Sequence, residues 1–162
     1  MIVVSDTSPL IALMKAGQLE LLEKLYGNVI VPQAVFDELT NNSKYQKKAD
    51  LIICSSFITV VKIRDSQSVR LFQQVTGLDR GESEAIKYAA DNKADLVLID
   101  EISGRRAAKM MHLNCIGSLG VLVAAYKSKY ISEKAVKAAL EQMKSSNMYF
   151  DDKLIDSVLK EL

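Results

Sequence analysis

Ile2-Val3-Val4-Ser5-Asp6-Thr7-Ser8-Pro9-Leu10-Ile11 decides the fold. A short β-branched run breaks at an acid and then meets a Ser-Pro pair ahead of an apolar helical pattern. That is a strand-to-helix junction, with Ser8 the expected cap and Pro9 in the first helical position. The same grammar recurs along the chain. Val29-Ile30-Val31 runs into Pro32, which opens a helix carrying Val35, Phe36 and Leu39. Leu96-Val97-Leu98-Ile99 runs into Asp100-Glu101, with a helix predicted over 105–111. Asn114-Cys115-Ile116 stops at Gly117, with Ser118 as cap of the next helix. Residues 57–63 read as a further strand. Helices are predicted over 19–25 and 47–53, from a cap at Ser66 or Ser68 to 75, and from a cap at Asp79 to 92. Two amphipathic helices are predicted over 133–144 and 151–160. Asp79 and Glu82 have the spacing of a capping box.

The strands are apolar throughout rather than alternating, and they alternate with helices. Both features argue for an α/β fold, a parallel sheet covered on its two faces. With 162 residues, 49% hydrophobic and 25% charged, the chain fits one domain, residues 1–162, with a packed core. It carries no repeat, low-complexity tract or linker. No apolar run approaches the ~20 residues of a membrane helix. The first residues lack the basic flank and long apolar core of a signal peptide, so a cytoplasmic location without membrane contact is expected. Lys and Arg (21) balance Asp and Glu (20) to a net +1, so global charge does not announce a nucleic-acid binder. Cys54 and Cys115 lack metal-type spacing and read as buried free thiols. With His112 the only histidine, a zinc site is nearly excluded. Polar catalysis here has to run mainly on carboxylates.

Those carboxylates fall in a pattern. Asp6 and Asp100 follow apolar strands, and ligands of open α/β sheets bind outside the carboxyl ends of the strands. Each acid either caps the helix after it or belongs to such a site. Glu38 lies on the arc of Ala34, Val35 and Leu39, while Asp37 points away. A glutamate there needs a partner, such as a cation. Glu82 is in phase with Ile86 and Ala89, and Glu84 sits about 200° round the helix. Glu82 is therefore expected to point inward and Glu84 outward, the capping box being the other explanation for Glu82. Four acids at one edge would repel one another and hold protons unless a hard cation joined them. Oxygen-only ligation points to Mg²⁺ or Mn²⁺, and such clusters usually serve phosphoryl transfer.

With these residues in place, the chain resembles the PIN-domain nucleases, in a prokaryotic branch close to the toxins of VapBC-type toxin–antitoxin operons. The resemblance rests on Val3-Val4-Ser5-Asp6-Thr7-Ser8-Pro9-Leu10, on Val29-Ile30-Val31-Pro32 leading to Glu38-Leu39, and on Leu78-Asp79-Arg80-Gly81-Glu82-Ser83-Glu84-Ala85-Ile86. It continues through Ala94-Asp95-Leu96-Val97-Leu98-Ile99-Asp100-Glu101, Gly104-Arg105-Arg106-Ala107-Ala108 and Ile116-Gly117-Ser118-Leu119-Gly120-Val121-Leu122. It implies a three-layer α/β/α sandwich around a short parallel sheet and metal-dependent endonuclease cleavage of RNA. The family's first, second and fourth acids match Asp6, Glu38 and Asp100. The interval back from the fourth reaches Glu82 as the third, in agreement with the helical phase. Glu84-Ala85 also looks like the family's acid-alanine pair, which keeps Glu84 as the fallback. Thr7 and Ser8 supply the hydroxyl that the family tends to carry beside its first acid. Two features depart from the pattern: Glu82 stands where the family usually has an aspartate, and Gly104-Arg105-Arg106 belongs to a less-studied branch.

Arg105, Arg106 and Lys109 either contact phosphate beside the acids or form a solvated helix face. Lys44, Lys47 and Lys48 either wall an RNA path or are simply solvated. His112 suits a helix end, where a cation meets the dipole. Met110, Met111 and Met143 read as packing residues, and Tyr149 and Phe150 as docking the last helix. Two rivals to the nuclease are a catalytically silent PIN-like binding domain and a phosphatase-like acid pocket. Leu21, Leu22, Leu25, Val136, Leu140, Leu154, Ile155, Val158 and Leu159 are more apolar surface than a small sheet covers readily. The expectation is a homodimer burying more than roughly 1,000 Å². By resemblance, an antitoxin segment would lie across an apolar groove. The alternative is a last helix that folds back and consumes the surplus.

Overall fold

A computed structural model describes residues 1–162, the side chains of Gln46, Lys47 and Lys48 excepted. The reading of Lys47 and Lys48 as part of an RNA path lies outside the described side chains. In chain order the elements are β1 (Val3–Ser5), α1 (Thr7–Lys15), α2 (Leu21–Tyr26), β2 (Val29–Pro32), α3 (Gln33–Asn41), α4 (Gln46–Ile53), β3 (Ile58–Val61) and α5 (Ser66–Thr76). They continue with α6 (Arg80–Asp91), β4 (Leu96–Leu98), α7 (Ile102–Met110), β5 (Cys115–Ile116), α8 (Ser118–Lys127), α9 (Glu133–Ser145) and α10 (Asp152–Lys160).

The sheet is parallel in every pairing and runs in the order β3-β2-β1-β4-β5. Alternate residues of the central strands feed two cores. Val3 and Leu98 pack with α1, α2, α8, α9 and α10 on one face. Val4, Val97 and Ile99 pack with α6 and α7 on the other. That is why the strands are apolar at every position, and it makes the three layers. From β1 the chain moves outward through β2 and β3, then returns to add β4 and β5 on the opposite side of β1. The strand order therefore reverses between β1 and β4, the crevice where open α/β sheets take their ligands.

Helix starts differ from the expected positions for local reasons. α1 begins at Thr7 with Asp6 in the cap position, so Pro9 falls in the first turn. Its missing N–H has no partner to lose there. α5 is capped by Asp65, which accepts from Ser68 N, rather than by a serine. α7 begins at Ile102, three residues before the predicted start, behind an extended Glu101. Ser118 is the first residue of α8, not its cap. Cys54 is exposed, one residue past α4, instead of buried. Tyr149 is exposed, whereas Phe150 packs on the core.

The apolar surplus is largely consumed inside the chain. α9 and α10 fold back, burying Val136, Leu140, Met143, Ile155 and Val158 alongside Leu21 and Leu22. Tyr126 Oη donates to the Leu162 carbonyl, tying α8 to the last residue at 2.6 Å. Of the residues thought to be in excess, Leu154 and Leu159 stay exposed. Among the described residues, no helix is long and apolar enough to cross a membrane.

Candidate active site

Asp6 directly follows β1 at the switch point, where its amide donates to the Leu98 carbonyl at 3.0 Å and locks the ends of β1 and β4 together. It occupies the cap position of α1, yet its carboxylate makes no capping bond and is 2% exposed. The capping explanation therefore does not account for it. Burial comes first in pushing Asp6 up to about 8, with the charges of Glu82, Asp79 and Glu38 adding to it against the Thr7 backbone bond.

Glu38 comes from α3. The phase that places Val35 and Leu39 in the core carries Glu38 to the edge of the sheet, where it is exposed. Thr7 Oγ1 donates to its Oε2 at 2.7 Å. Thr7 is itself buried, so its hydroxyl is spent on aiming Glu38.

Glu82 sits in the first turn of α6. The capping box is present: Glu82 N donates to Asp79 Oδ1 at 2.8 Å, and Asp79 N to Glu82 Oε2 at 3.3 Å. Only Oε2 is used. Glu82 Oε1 is buried with no hydrogen-bond partner. Burial, then the charges of Asp79, Glu101 and Glu38, push its carboxyl up to about 7 against the Asp79 backbone bond. Oδ1 of both Asp6 and Asp79 comes within 3.6 Å of where a Cβ on Gly81 would stand. α7 closes the pocket from the other side, and a Cβ on Gly104 would lie 2.8 Å from Glu82 Oε1 and 2.9 Å from Ile99. Only glycine permits that approach.

Asp100, just past β4, does not cap the following helix either. Its Oδ1 accepts from Ser118 N at 2.7 Å and from Ser118 Oγ at 3.1 Å, which pins the start of α8 to β4. Its Oδ2 is buried without a partner. Burial raises its carboxyl, opposed by the Ser118 bonds and by the charge of Arg105.

Glu84 corrects the outward expectation. It is as buried as Glu82, at 4% exposure. Its Oε2 accepts from Ala34 N at 3.1 Å and its Oε1 pairs with Arg80 Nε at 2.9 Å. α6 packs against α3 and α5 as well as against the sheet, so the face opposite Glu82 is covered too. Arg105 is half-buried and lines a groove of about 190 Å³ together with Asp100. Arg106 is exposed and lines a wider groove between α7 and α10 with Arg105, Lys109 and Lys153. Ser8 is half-buried beside Thr7, and His112 is exposed at a helix end. Asp79 and Glu101 add two acids, beyond those the sequence pattern points to, whose charges act on Glu82. The capping-box spacing, which ties Asp79 to Glu82, is the sequence signal that could have brought in the first of them.

The donor set suits a hard divalent cation. The donors are oxygens only, two buried carboxylate oxygens lack any other partner, and burial beside like charges raises the carboxyls of Asp6 and Glu82, a cost that a bound positive charge removes. Among the described residues no group of three or more His, Cys, Asp or Glu is already arranged to hold a metal ion. Instead Thr7, Ser118 and the Asp79 amide each hold one carboxylate at the rim.

No curated protein and no solved structure gives a significant match to this chain. A family model described as PIN domain matches residues 2–162. PIN domains are generally nucleases, and those nucleases usually use divalent metals. A match over nearly the whole length, on a chain with this five-stranded parallel sheet, means that the protein belongs to the PIN-domain family.

Proposed function

We propose that this PIN domain is an endoribonuclease that hydrolyses phosphodiester bonds with Mg²⁺ or Mn²⁺ held by Asp6, Glu38, Glu82 and Asp100. The observation that carries the reading is uncompensated burial: Glu82 Oε1 and Asp100 Oδ2 are buried without a partner, and the Glu82 charge helps push Asp6 up to about 8. A domain that only binds a partner gains nothing from such acids, which disfavours the catalytically silent alternative. When bound, the cation supplies charge against the phosphate and acidity to a water. The chain's own residues do the rest. Thr7 aims Glu38, Ser118 fixes one oxygen of Asp100, and Asp79 fixes one oxygen of Glu82. Each leaves the other oxygen of its carboxylate for the cation or the water. On this reading Arg105, which lines a groove with Asp100, contacts a phosphate oxygen, with Arg106 and Lys109 continuing that charge along α7. Ser8, beside Thr7, is the other hydroxyl at hand for the substrate.

On this reading the protein is a cytoplasmic toxin of a toxin–antitoxin pair. Its partners are RNA, an antitoxin segment and a second copy of the chain. The homodimer draws no support from a general apolar surplus, since α9 and α10 cover most of it. Incubation of the full chain with single-stranded RNA in Mn²⁺ and in EDTA tests the activity. Cleavage that needs Mn²⁺ and disappears in an Asp6→Asn, Asp100→Asn double variant is expected. Cleavage that persists in that variant, or a parent inert towards RNA, would overturn the proposal. Melting with and without Mn²⁺ separates a silent domain, which the ion leaves unmoved.

A further inference from the structure

α6 presents two carboxylates in its first turns, and only one belongs to the acid pocket. The other, Glu84, opens onto a separate cavity of about 270 Å³ between the end of β3, α5 and α6, lined by Gln33, Lys62, Ser66, Arg70, Arg80 and Glu84 among others. The cavity is built rather than incidental. Glu84 is buried, and its two oxygens are taken by Ala34 N and Arg80 Nε. Arg80, at the start of α6, is thereby held at the mouth of the cavity, with most of its side chain exposed. Lys62 and Arg70 reach the same cavity from the end of β3 and from α5, both exposed. Three cations face one carboxylate that is already paired, in a protein whose overall charge is only +1. The local excess is positive, so the ligand is an anion.

Location and size narrow the choice. Arg80 lies between Asp79 and Gly81, the residues that border Asp6, and Gln33 opens the helix that carries Glu38. The cavity is therefore the immediate neighbour of the acid pocket, on the side opposite Arg105. Its volume falls below the ~300 Å³ at which sites for whole small molecules begin. A phosphate with part of its sugar fits that limit better than a complete metabolite. We propose that the Lys62, Arg70 and Arg80 cavity holds a backbone phosphate of the RNA strand flanking the bond that is cut, so that the strand crosses the acids between this cavity and Arg105. This rests on the nuclease reading and adds to it a second, fixed contact and hence a path. Contacts of this kind position the strand without reading its bases.

The test is binding of a labelled single-stranded RNA to the full chain in EDTA over a salt series, together with steady-state cleavage in Mn²⁺. For a Lys62→Gln, Arg70→Gln double variant, binding is expected to be roughly tenfold weaker at low salt. The slope of log affinity against log salt should shrink by up to about 0.7, the value for one phosphate contact to a single strand. KM should rise with kcat retained, because the lost binding is the same in ground and transition states. Both side chains are exposed, so the variant should melt with the parent, and the two single variants give half the slope change each. Arg64→Gln, exposed on the connection between β3 and α5, should bind as the parent does. Unchanged affinity and slope in the double variant, with a parent that still cleaves RNA, would overturn the cavity and leave the nuclease standing. An equal loss in Arg64→Gln would mean diffuse charge and no built contact. Inorganic phosphate that raises the parent's melting temperature but not the double variant's, with RNA binding unaffected, would assign the cavity to a free anion instead. A parent that neither binds nor cuts RNA would end both proposals.

Discussion

Glu82 and Glu84 lie two residues apart on α6 and are equally buried, at 4% exposure. Their surroundings differ completely. Glu84 has an arginine on one oxygen and a helix N-terminal amide on the other. Glu82 has a single weak amide contact on one oxygen, nothing on the other, and three acids that act on it. Burial of a carboxylate therefore does not mark a reactive site by itself. A buried carboxylate whose charge the protein leaves unbalanced does, because the balance has to come from something that binds.

The hardest way to break this contrast is to remove charge from the acid pocket. Asp6→Asn with Asp100→Asn is expected to lower metal-dependent RNA cleavage by about a thousandfold or more, since such an ion supplies several kcal/mol of charge stabilisation. A quantitative cleavage time course checks it. Next, Glu82→Gln and Glu84→Gln should part company in two assays. Glu82→Gln should abolish metal-dependent cleavage while leaving the metal-free melting temperature unchanged or higher. Glu84→Gln should keep most of the activity but cost about 1–3 kcal/mol of stability, by weakening two charge-assisted bonds. The reverse ranking in denaturant melts and activity would make Glu84 the working acid.

Thr7→Val sharpens the comparison by freeing Glu38 without touching its charge. A 10–100-fold loss of activity or metal affinity is expected, the usual range when a group that orients a ligand is removed. Metal titration followed by melting reads it. A separate readout of the same contrast is pH dependence. Asp6 and Glu82 are raised from ordinary values of 3.8 and 4.5 to about 8 and about 7, so between roughly pH 4 and 8 the folded chain holds protons that the unfolded chain has released. Metal-free stability should then fall as pH rises through that window, by up to about 1.4 kcal/mol per pH unit for each group. Asp6→Asn should flatten the fall, and Mn²⁺ should stabilise more at pH 8 than at pH 6. Thermal melts across pH decide it, and stability that rises over this range would contradict the unbalanced burial of Asp6.

Much of this was legible in local sequence. The junction at Ser5-Asp6-Thr7 and the apolar run before Asp100 put both acids just past the carboxyl ends of their strands. Asp79 and Glu82 announced their capping box by spacing alone, and the 3.6-residue period turned Glu82 toward the sheet. The same period failed for Glu84. Helical phase gives the angle between two side chains but not what is packed on the far side, and there α3 and α5 close over it. Asp100 could not be seen to hold Ser118, eighteen residues away, because that bond exists only once β4 and β5 pair.

Alternating apolar strands and helices therefore determined the layered parallel sheet, since a strand buried on both faces has few other solutions. Local chemistry also determined the helix starts to within a few residues. Tertiary structure alone decided which acids are compensated. Arg80 and the amide of Ala34 reach Glu84 while Glu82 Oε1 and Asp100 Oδ2 are left bare. It also decided that α9 and α10 cover the apolar surface expected to bind a partner. Compensation depends on which groups from distant parts of the chain come within a few ångströms. The strength of a charge pair in a buried setting turns on that distance, and one sequence does not state it.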